Sequence, residues 1–498
     1  MYQLKLFPNE NKLAMFPVVR NEFSHANLTA ESERLELERV YGSLLYETDR
    51  FSRQLVSFQA NKTEILHRWI KYREGFSAAL VQLLLDEFGI RPGHRVLDPF
   101  AGSGTTLLVS MLLGIDATGI ELLPHCHVAW DAKRRVFDYD MAELEQLVAW
   151  LRTTTPEASS RLFPHLAITE SAFPPDIEAE LMAYSEWVLT HPMSEDARVL
   201  SRFVLMSILE EISYTRKDGQ YLRWDGRARK IVDRNRQRRK KGAPLIKGIN
   251  KGDLPRVSET FIAAFQHVMS DVIQLQADQP PKSCQEMIPG NALKVLPILE
   301  ADLFDAVVTS PPYANRYDYT RTYALELAYL GVADGIFALR QQMLSCTVEN
   351  RSKLDELSDQ YSEIGQSARF EHISAVIHQN AALREVNEAL RYRAELGEMN
   401  NRGVLTMIDQ YFTELGFIFA ELHRVCRTGA RVIFVNDNVR YAGEVIPVDL
   451  LSTDLAAAMG FVPEIVYVLP QRKGNSSQQM GRYGRVALRK SITVWRKE

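Results

Sequence analysis

The chain has 498 residues and is 46% hydrophobic, ample for a large core and two or three domains. No run of about 18 or more uninterrupted apolar residues occurs, so no membrane span is expected. Net charge is −4, which taken alone argues against a nucleic-acid partner, but the charge is unevenly spread.

Residues 1–60 read as an N-terminal extension with helical spacing in ESERLELERVYGSL (31–44). Its start, MYQLKLFPNENKLAMF, lacks the basic, apolar and small-residue succession of a signal peptide. A first core segment (61–139) follows. Phe76–Phe88 carries an apolar face at helical period, and GIRPG (89–93) breaks it. HRVLD (94–98) reads as a strand, TTLLVSMLLG (105–114) as a helix and DATGIEL (116–122) as a second strand. That is one βαβ unit of a doubly wound sheet. Residues 140–284 read as a largely helical, basic insert. A second core segment (285–331) holds strand runs EMIPG (286–290) and FDAVVTS (304–310). A polar insert (332–408) ends in the helical ALREVNEALRYRAEL. The third core segment (409–498) holds ARVIFVN (430–436), FVPEIVYVL (461–469) and SITVWRK (491–497), the last two as an antiparallel hairpin.

The four cysteines, Cys126, Cys284, Cys346 and Cys426, form no CxxC pair. Neither a disulfide framework nor a metal site is expected, and the plain reading is a reduced, cytoplasmic protein.

Between the first two strands lies DPFAGSGTT (98–106). Asp98 ends the strand and can order the loop or accept from a cofactor amine. Gly102 and Gly104 allow positive φ and close backbone approach. Thr105 and Thr106 open a helix whose free N–H groups attract a carboxylate. No Gly-Lys-Ser/Thr occurs, which excludes a Walker A phosphate loop. Glu121 ends the next strand, where an acid binds the ribose hydroxyls of a nucleoside cofactor. Downstream, VVTSPPY (307–313) is a strand running into a turn stiffened by Pro311 and Pro312.

DPFAGSGTT followed by SPPY resembles the DNA amino-methyltransferases, over roughly 60–125, 285–330 and 410–498. The resemblance implies a Rossmann-like α/β methyltransferase sheet of seven strands, last hairpin antiparallel, with largely helical inserts. It implies S-adenosyl-L-methionine as cofactor. Asp98, Phe100, Ala101, Gly102, Gly104, Thr105 and Thr106 would hold its methionine part and Glu121 its ribose. Asn291 and Ala292 would lie beside the adenine, although the family more often has an acid at Asn291. Phe76, in YREGFSAALV (72–81), stands where the family places an N-terminal cofactor-flanking element, from whose commonest form this segment departs.

SPPY is the expected catalytic turn. An exocyclic amine on a nucleobase is a poor nucleophile because its lone pair is delocalised into the ring. Acceptors aimed at its hydrogens hold it towards sp³ geometry. Ser310 Oγ and the Pro311 carbonyl, fixed by Pro312, suit that task, and Tyr313 can stack on an extruded base. Ser at the first position resembles the cytosine-N4 enzymes; Asp or Asn is more usual in the adenine-N6 ones. Adenine-N6 methylation, RNA amino methylation and a non-catalytic DNA-recognition subunit remain the alternatives.

Residues 216–256 hold 15 basic and four acidic side chains, a local +11 that leaves −15 for the rest. The basic block RWDGRARKIVDRNRQRRKKGAPLIKGINKG (223–252) is expected to contact DNA phosphates, through Arg234, Arg236, Arg238, Arg239, Lys240 and Lys241. Tyr214, Tyr221 and Trp224 before it read as packing groups. Arg472, Lys473 and Arg482, in the loop 471–485, are a second expected DNA contact. Arg316, Tyr317 and Tyr319 are expected to line the pocket or order a loop, and Asn436, Asp437 and Asn438 to face the target base. The partners this implies are duplex DNA and a companion restriction endonuclease, with no membrane and no metal.

Overall fold

The computed structural model describes residues 22–48, 50–52, 55–73, 75–218, 221–332, 335–469, 483–484 and 486–498. Twelve strands occur among them: β1 (Leu45–Glu47), β2 (Arg95–Asp98), β3 (Asp116–Glu121), β4 (Thr215–Asp218), β5 (Tyr221–Trp224), β6 (Gln285–Pro289), β7 (Phe304–Thr309), β8 (Cys426–Asp437), β9 (Val439–Tyr441), β10 (Glu444–Ile446), β11 (Phe461–Leu469) and β12 (Lys490–Lys497).

Eight of these strands form one sheet in the order β1-β11-β12-β8-β7-β2-β3-β6. β12 alone runs antiparallel, lying between β8 and β11. The other pairs are parallel. Seven strands match those expected from the pattern of apolar runs. The eighth, β1, comes from the N-terminal extension and pairs Tyr46 with Tyr467 at the sheet edge.

The central strands are apolar because both faces are covered. Val96, Ala306, Val308, Ile433, Val435, Ile492 and Val494 point to one layer. Leu97, Val307, Val432, Phe434 and Trp495, their neighbours in sequence, point to the other. The first layer holds the helices Ala78–Glu87, Thr105–Leu112 and Pro124–Arg134, together with the helices Met141–Thr153 to Val257–Gln276. The second holds Gly403–Val425 and Val448–Ala458, with the helices between Leu354 and Glu395 packed outside them. The two long segments beyond the βαβ core therefore thicken opposite faces of the sheet.

The N-terminal extension is bound into the second layer by a buried ionic cluster. Arg34 Nε meets Glu385 at 2.8 Å and its Nη1 meets Glu444 at 3.2 Å. Arg393 reaches the other Glu444 oxygen at 2.6 Å. All four side chains are at most 5% exposed. Arg489, just before β12, pairs with Asp449 at 2.8 Å and also reaches Glu38.

Among the described residues no helix is long and apolar enough to cross a membrane. None of the four cysteines is in a disulfide, and Cys126, Cys346 and Cys426 are buried.

Candidate active site

The two motifs meet on adjacent strands. β2 and β7 pair in parallel, Val96 opposite Ala306. Thr309, the last residue of β7, donates its hydroxyl to Asp98 Oδ1 at 2.7 Å. Asp98 also accepts the Thr106 hydroxyl on Oδ2 at 2.7 Å and the Phe100 N–H on Oδ1 at 3.1 Å. Asp98 thus performs the ordering role, tying strand, loop and helix together, and it also lines the cleft. Burial pushes its carboxyl up to about 6, against these three hydrogen bonds.

The loop conformation needs its glycines. Gly102 has φ +53°, and a Cβ there would lie 2.8 Å from the Tyr72 ring. Gly104 has φ +85°, and a Cβ would lie 2.8 Å from Trp130. Tyr72 presses on the loop as the outer ring of a stack. It lies 5.4 Å from Tyr323, which lies 4.3 Å from buried His125. Lys217, from the β4–β5 hairpin, sits 4.6 Å from the Tyr323 ring centre and forms a buried ion pair with Glu326.

One cleft at the carboxyl ends of β2, β3, β6 and β7 collects most of the predicted cofactor residues. Phe76, Asp98, Phe100, Ala101, Gly102, Thr105, Glu121, Asn291 and Ala292 line it, and so do Ser310 and Pro312. Gly104, Thr106, Pro311 and Tyr313 do not line it. Thr106 is spent on Asp98, and Gly104 caps the Thr105–Leu112 helix. Asn291 caps the short helix Ala292–Val295 by accepting from Leu293 N–H at 2.9 Å. Ser103 of the loop and Tyr319, past SPPY, also line the cleft, as do Tyr72, Leu122 and Leu123; Gln342, Met343 and Leu344, which no motif announces, arrive from the second long segment.

Glu121 is 8% exposed. Its Oε2 accepts Gly102 N–H at 2.8 Å and its Oε1 accepts Leu123 N–H at 2.6 Å. Each oxygen keeps a lone pair, so the carboxylate can still accept two hydroxyl hydrogens. Burial pushes its carboxyl up to about 7, although these backbone hydrogen bonds pull it down. The donor set fits a nucleoside sulfonium: an acid with two acceptor sites, an apolar slot between Phe100, Ile120, Leu122, Ala292 and Leu344, and an open helix N-terminus.

At the catalytic turn, Ser310 Oγ donates to Tyr313 Oη at 3.1 Å. Lys490, first residue of β12, stands 5.4 Å from the Tyr313 ring centre and pairs with Asp437 at 3.1 Å. Asn436 is turned away, donating to Tyr411 Oη at 3.1 Å. Asn438 accepts from Asp449 N–H at 3.0 Å. Of these three strand-end residues, Asp437 is the one joined to the turn. Arg316 adopts φ +67° and Tyr317 packs edge-on against Tyr319 at 4.8 Å.

The basic block divides in two. Lys217, Arg227, Lys230 and Lys251 serve the fold: Arg227 pairs with Asp225, Lys230 reaches the Ala167 and Ile168 carbonyls, and Lys251 the Ser213 and Thr215 carbonyls. The six expected phosphate contacts lie on or just beyond a helix, Arg229–Lys240, with Ile231 as its buried residue. Arg234, Arg236, Arg239, Lys240 and Lys241 are exposed, while Arg238 is half-buried against the Pro244 carbonyl. Two adjoining hollows share His165 and Ala167. One is lined by Arg229, Lys230 and Arg234, the other by Thr320, Arg321 and Arg340. The two hollows thus run from the helix to the segment following SPPY, with Glu170 and Asp233 also in the first and Arg321 and Arg340 paired with Asp318 in the second. Trp224 lies under Lys230 and Tyr214 under Arg227, as packing groups. Arg472, Lys473 and Arg482 lie outside the described residues.

A family model described as DNA methylase matches residues 25–129. The chain is 51% identical over 478 residues to Type II methyltransferase M.BsoBI of Geobacillus stearothermophilus, covering 95% of this chain and 94% of that protein. It is 38% identical over 487 residues to Type II methyltransferase M.AvaI of Nostoc sp., covering 96% and 94%. A shorter match, 27% over 140 residues and 26% of each chain, is to Type II methyltransferase M.MjaII of Methanocaldococcus jannaschii. With both motifs united in one cleft, and with 51% and 38% identity to two such enzymes over nearly the whole chain, the chain belongs to the type II DNA methyltransferases of restriction-modification systems.

Proposed function

We propose that this enzyme methylates the exocyclic N4 amine of a cytosine flipped out of duplex DNA, with S-adenosyl-L-methionine as donor. The observation that supports this reading most is Ser310. It is held beside the cofactor loop by the Thr309–Asp98 bond, with its hydroxyl proton engaged by Tyr313. Its remaining lone pairs are free to accept from an amine. A serine, rather than an acid or amide, heads the motif, as in the cytosine-N4 enzymes it resembles.

When bound, the cofactor supplies an electrophilic methyl group on a sulfonium. Glu121 would accept from its ribose hydroxyls, the Thr105 helix terminus would face its carboxylate, and Ala292 and Leu344 would flank its adenine. Ser310 Oγ and the Pro311 carbonyl orient the amine so that its lone pair faces the methyl carbon. Catalysis is then mainly positioning. A companion restriction endonuclease of the same recognition sequence is part of this proposal.

Nucleosides from DNA of cells making the protein, resolved by mass spectrometry, test the base. N4-methylcytosine is expected; N6-methyladenine in its place overturns the cytosine reading.

Cofactor affinity should depend on pH through Glu121. Its carboxyl sits near 7 in the free chain, so it is protonated at pH 6 and ionised at pH 8. Only the ionised form accepts two hydroxyls. Calorimetry should give about tenfold tighter binding at pH 8 than at pH 6, and a flatter profile in Glu121→Gln. An equally steep profile in the variant assigns the titration elsewhere.

Changing Arg234, Arg236 and Arg239 together to Gln should weaken DNA binding alike on all sequences. The slope of log affinity against log salt should fall by about 0.9 for each phosphate no longer neutralised. An unchanged slope would remove the helix from the DNA interface.

A further inference from the structure

We propose that the basic insert completes the cofactor site through Lys217, a positioning residue that fixes the Tyr323 and Tyr72 rings against the glycine loop. The inference rests on the reading of the cleft around Glu121 as the cofactor site.

Lys217 is the third residue of β4, in the hairpin that leads into the helix Arg229–Lys240. By sequence it belongs with the phosphate-seeking cations of that block. By position it does not. It is 3% exposed, its Nζ pairs with buried Glu326, and it lies over the Tyr323 ring, 4.6 Å from the ring centre. A cation taken out of water is drawn strongly to an aromatic face, and Glu326 balances its charge. A methionine at this position would fill the space and lose that attraction.

From Tyr323 the contacts run to the cofactor loop. Tyr323 is fully buried and stacks on Tyr72 at 5.4 Å, with 18° between the ring planes. Its hydroxyl accepts the Arg73 N–H at 3.2 Å, so ring and hydroxyl hold the same short segment. His125, also buried, packs on Tyr323 at 4.3 Å. Tyr72 in turn leaves no room at Gly102, where a Cβ would come within 2.8 Å of its ring. The Gly102 N–H is one of the backbone donors that hold Glu121, at 2.8 Å. Tyr72, Gly102 and Glu121 line the cleft, whereas Lys217, Tyr323 and Glu326 do not. A change at Lys217 therefore reaches the cofactor through the rings and not by contact. The insert that presents arginines to DNA is thus also a support of the cofactor loop.

The test is calorimetric binding of S-adenosyl-L-methionine to the full chain, with DNA affinity and steady-state methylation measured beside it. Lys217→Met alone would strand the Glu326 carboxylate in the interior, so Lys217→Met with Glu326→Gln forms a charge-neutral pair. Tyr323→Leu removes the ring. Each should weaken cofactor binding about fivefold to thirtyfold, as loss of one buried cation–π contact does. KM for the cofactor should rise in step while kcat at saturating cofactor stays nearly unchanged. All three changes together should bind no more weakly than the weaker of the two variants, because both act through Tyr72. Lys217→Arg, which keeps the cation, should retain most of the affinity. DNA affinity and its salt slope should not move.

A reduced salt slope with cofactor affinity intact would make Lys217 a phosphate contact and overturn the inference. A lowered urea midpoint with cofactor affinity intact would make it a stability group alone and overturn it equally. So would losses that multiply when the changes are combined. Should the charge-neutral pair fail to fold, Lys217→Gln, which still donates to Glu326, decides in its place by the same affinities. Glu121→Gln at pH 8 separates the two levels. If it leaves cofactor affinity intact, the cleft itself is misread. If it weakens binding while the Lys217 pair does not, only the positioning role fails.

Discussion

Ser310→Ala is expected to lower the rate of methyl transfer by about 10²–10³-fold, the usual effect of deleting one preorganised hydrogen-bonding group at a reacting centre. The change removes one oxygen and no packing partner, since Ser310 lies at a half-open turn. Its hydroxyl bonds Tyr313. Asp98 keeps Thr309, Thr106 and Phe100, so the cofactor loop stays in place. Affinities for cofactor and for duplex DNA should therefore stay close to those of the unmodified enzyme. Rapid-quench transfer of labelled methyl, with binding measured separately, distinguishes these effects. A parallel fall in affinity and rate would mean that Ser310 builds the cleft and does not act on the amine.

Glu444→Gln should be strongly destabilising. Glu444 is 1% exposed and neutralises both Arg34 and Arg393. Its carboxylate also accepts the Thr29 hydroxyl at 2.8 Å. Removing one partner from a buried ion cluster costs about 3–5 kcal/mol, because the remaining charges have lost their solvent and their counter-ion. Here two guanidiniums would be left with Glu385 and Glu398. Urea denaturation should show a marked drop in midpoint with an unchanged slope. Arg39→Ala, which breaks a surface pair with Glu36, serves as the control and should leave the midpoint in place. If Glu444→Gln behaves like the control, water reaches the cluster.

Much of the cleft is legible in the sequence because its residues are contiguous in the chain. DPFAGSGTT and SPPY are each a single turn, and their chemistry tolerates few residue types. The central strand β7 and the 432–435 run of β8 are legible because both of their faces are buried, which makes them largely apolar. β1 is not: three residues at a sheet edge, half-buried to exposed, carry no period. Gln342, Met343 and Leu344 cannot be foreseen as cleft walls, since only the path of the second long segment brings them there. Lys490 stands one residue before the expected strand 491–497, and nothing in its neighbours marks it. The basic helix Arg229–Lys240 is hidden in the charged stretch, because a single buried Ile231 gives no apolar stripe. Charge counting also overstates the DNA-facing surface. It does not distinguish Lys217, paired with Glu326 in the interior, from Arg236, which is 72% exposed.

The place of β12 has a consequence for synthesis on the ribosome. A chain made at roughly 5–20 residues per second emerges with its cofactor loop well before residues 490–497 exist. Yet β12 lies inside the sheet, between β8 and β11, and brings Lys490 to the Tyr313 ring. Until it inserts, β8 and β11 have no link to each other across the sheet. The nascent chain must therefore wait with an open seam beside the catalytic turn. Modifying activity should be absent from ribosome-held chains that stop short of β12 and should appear once β12 has emerged.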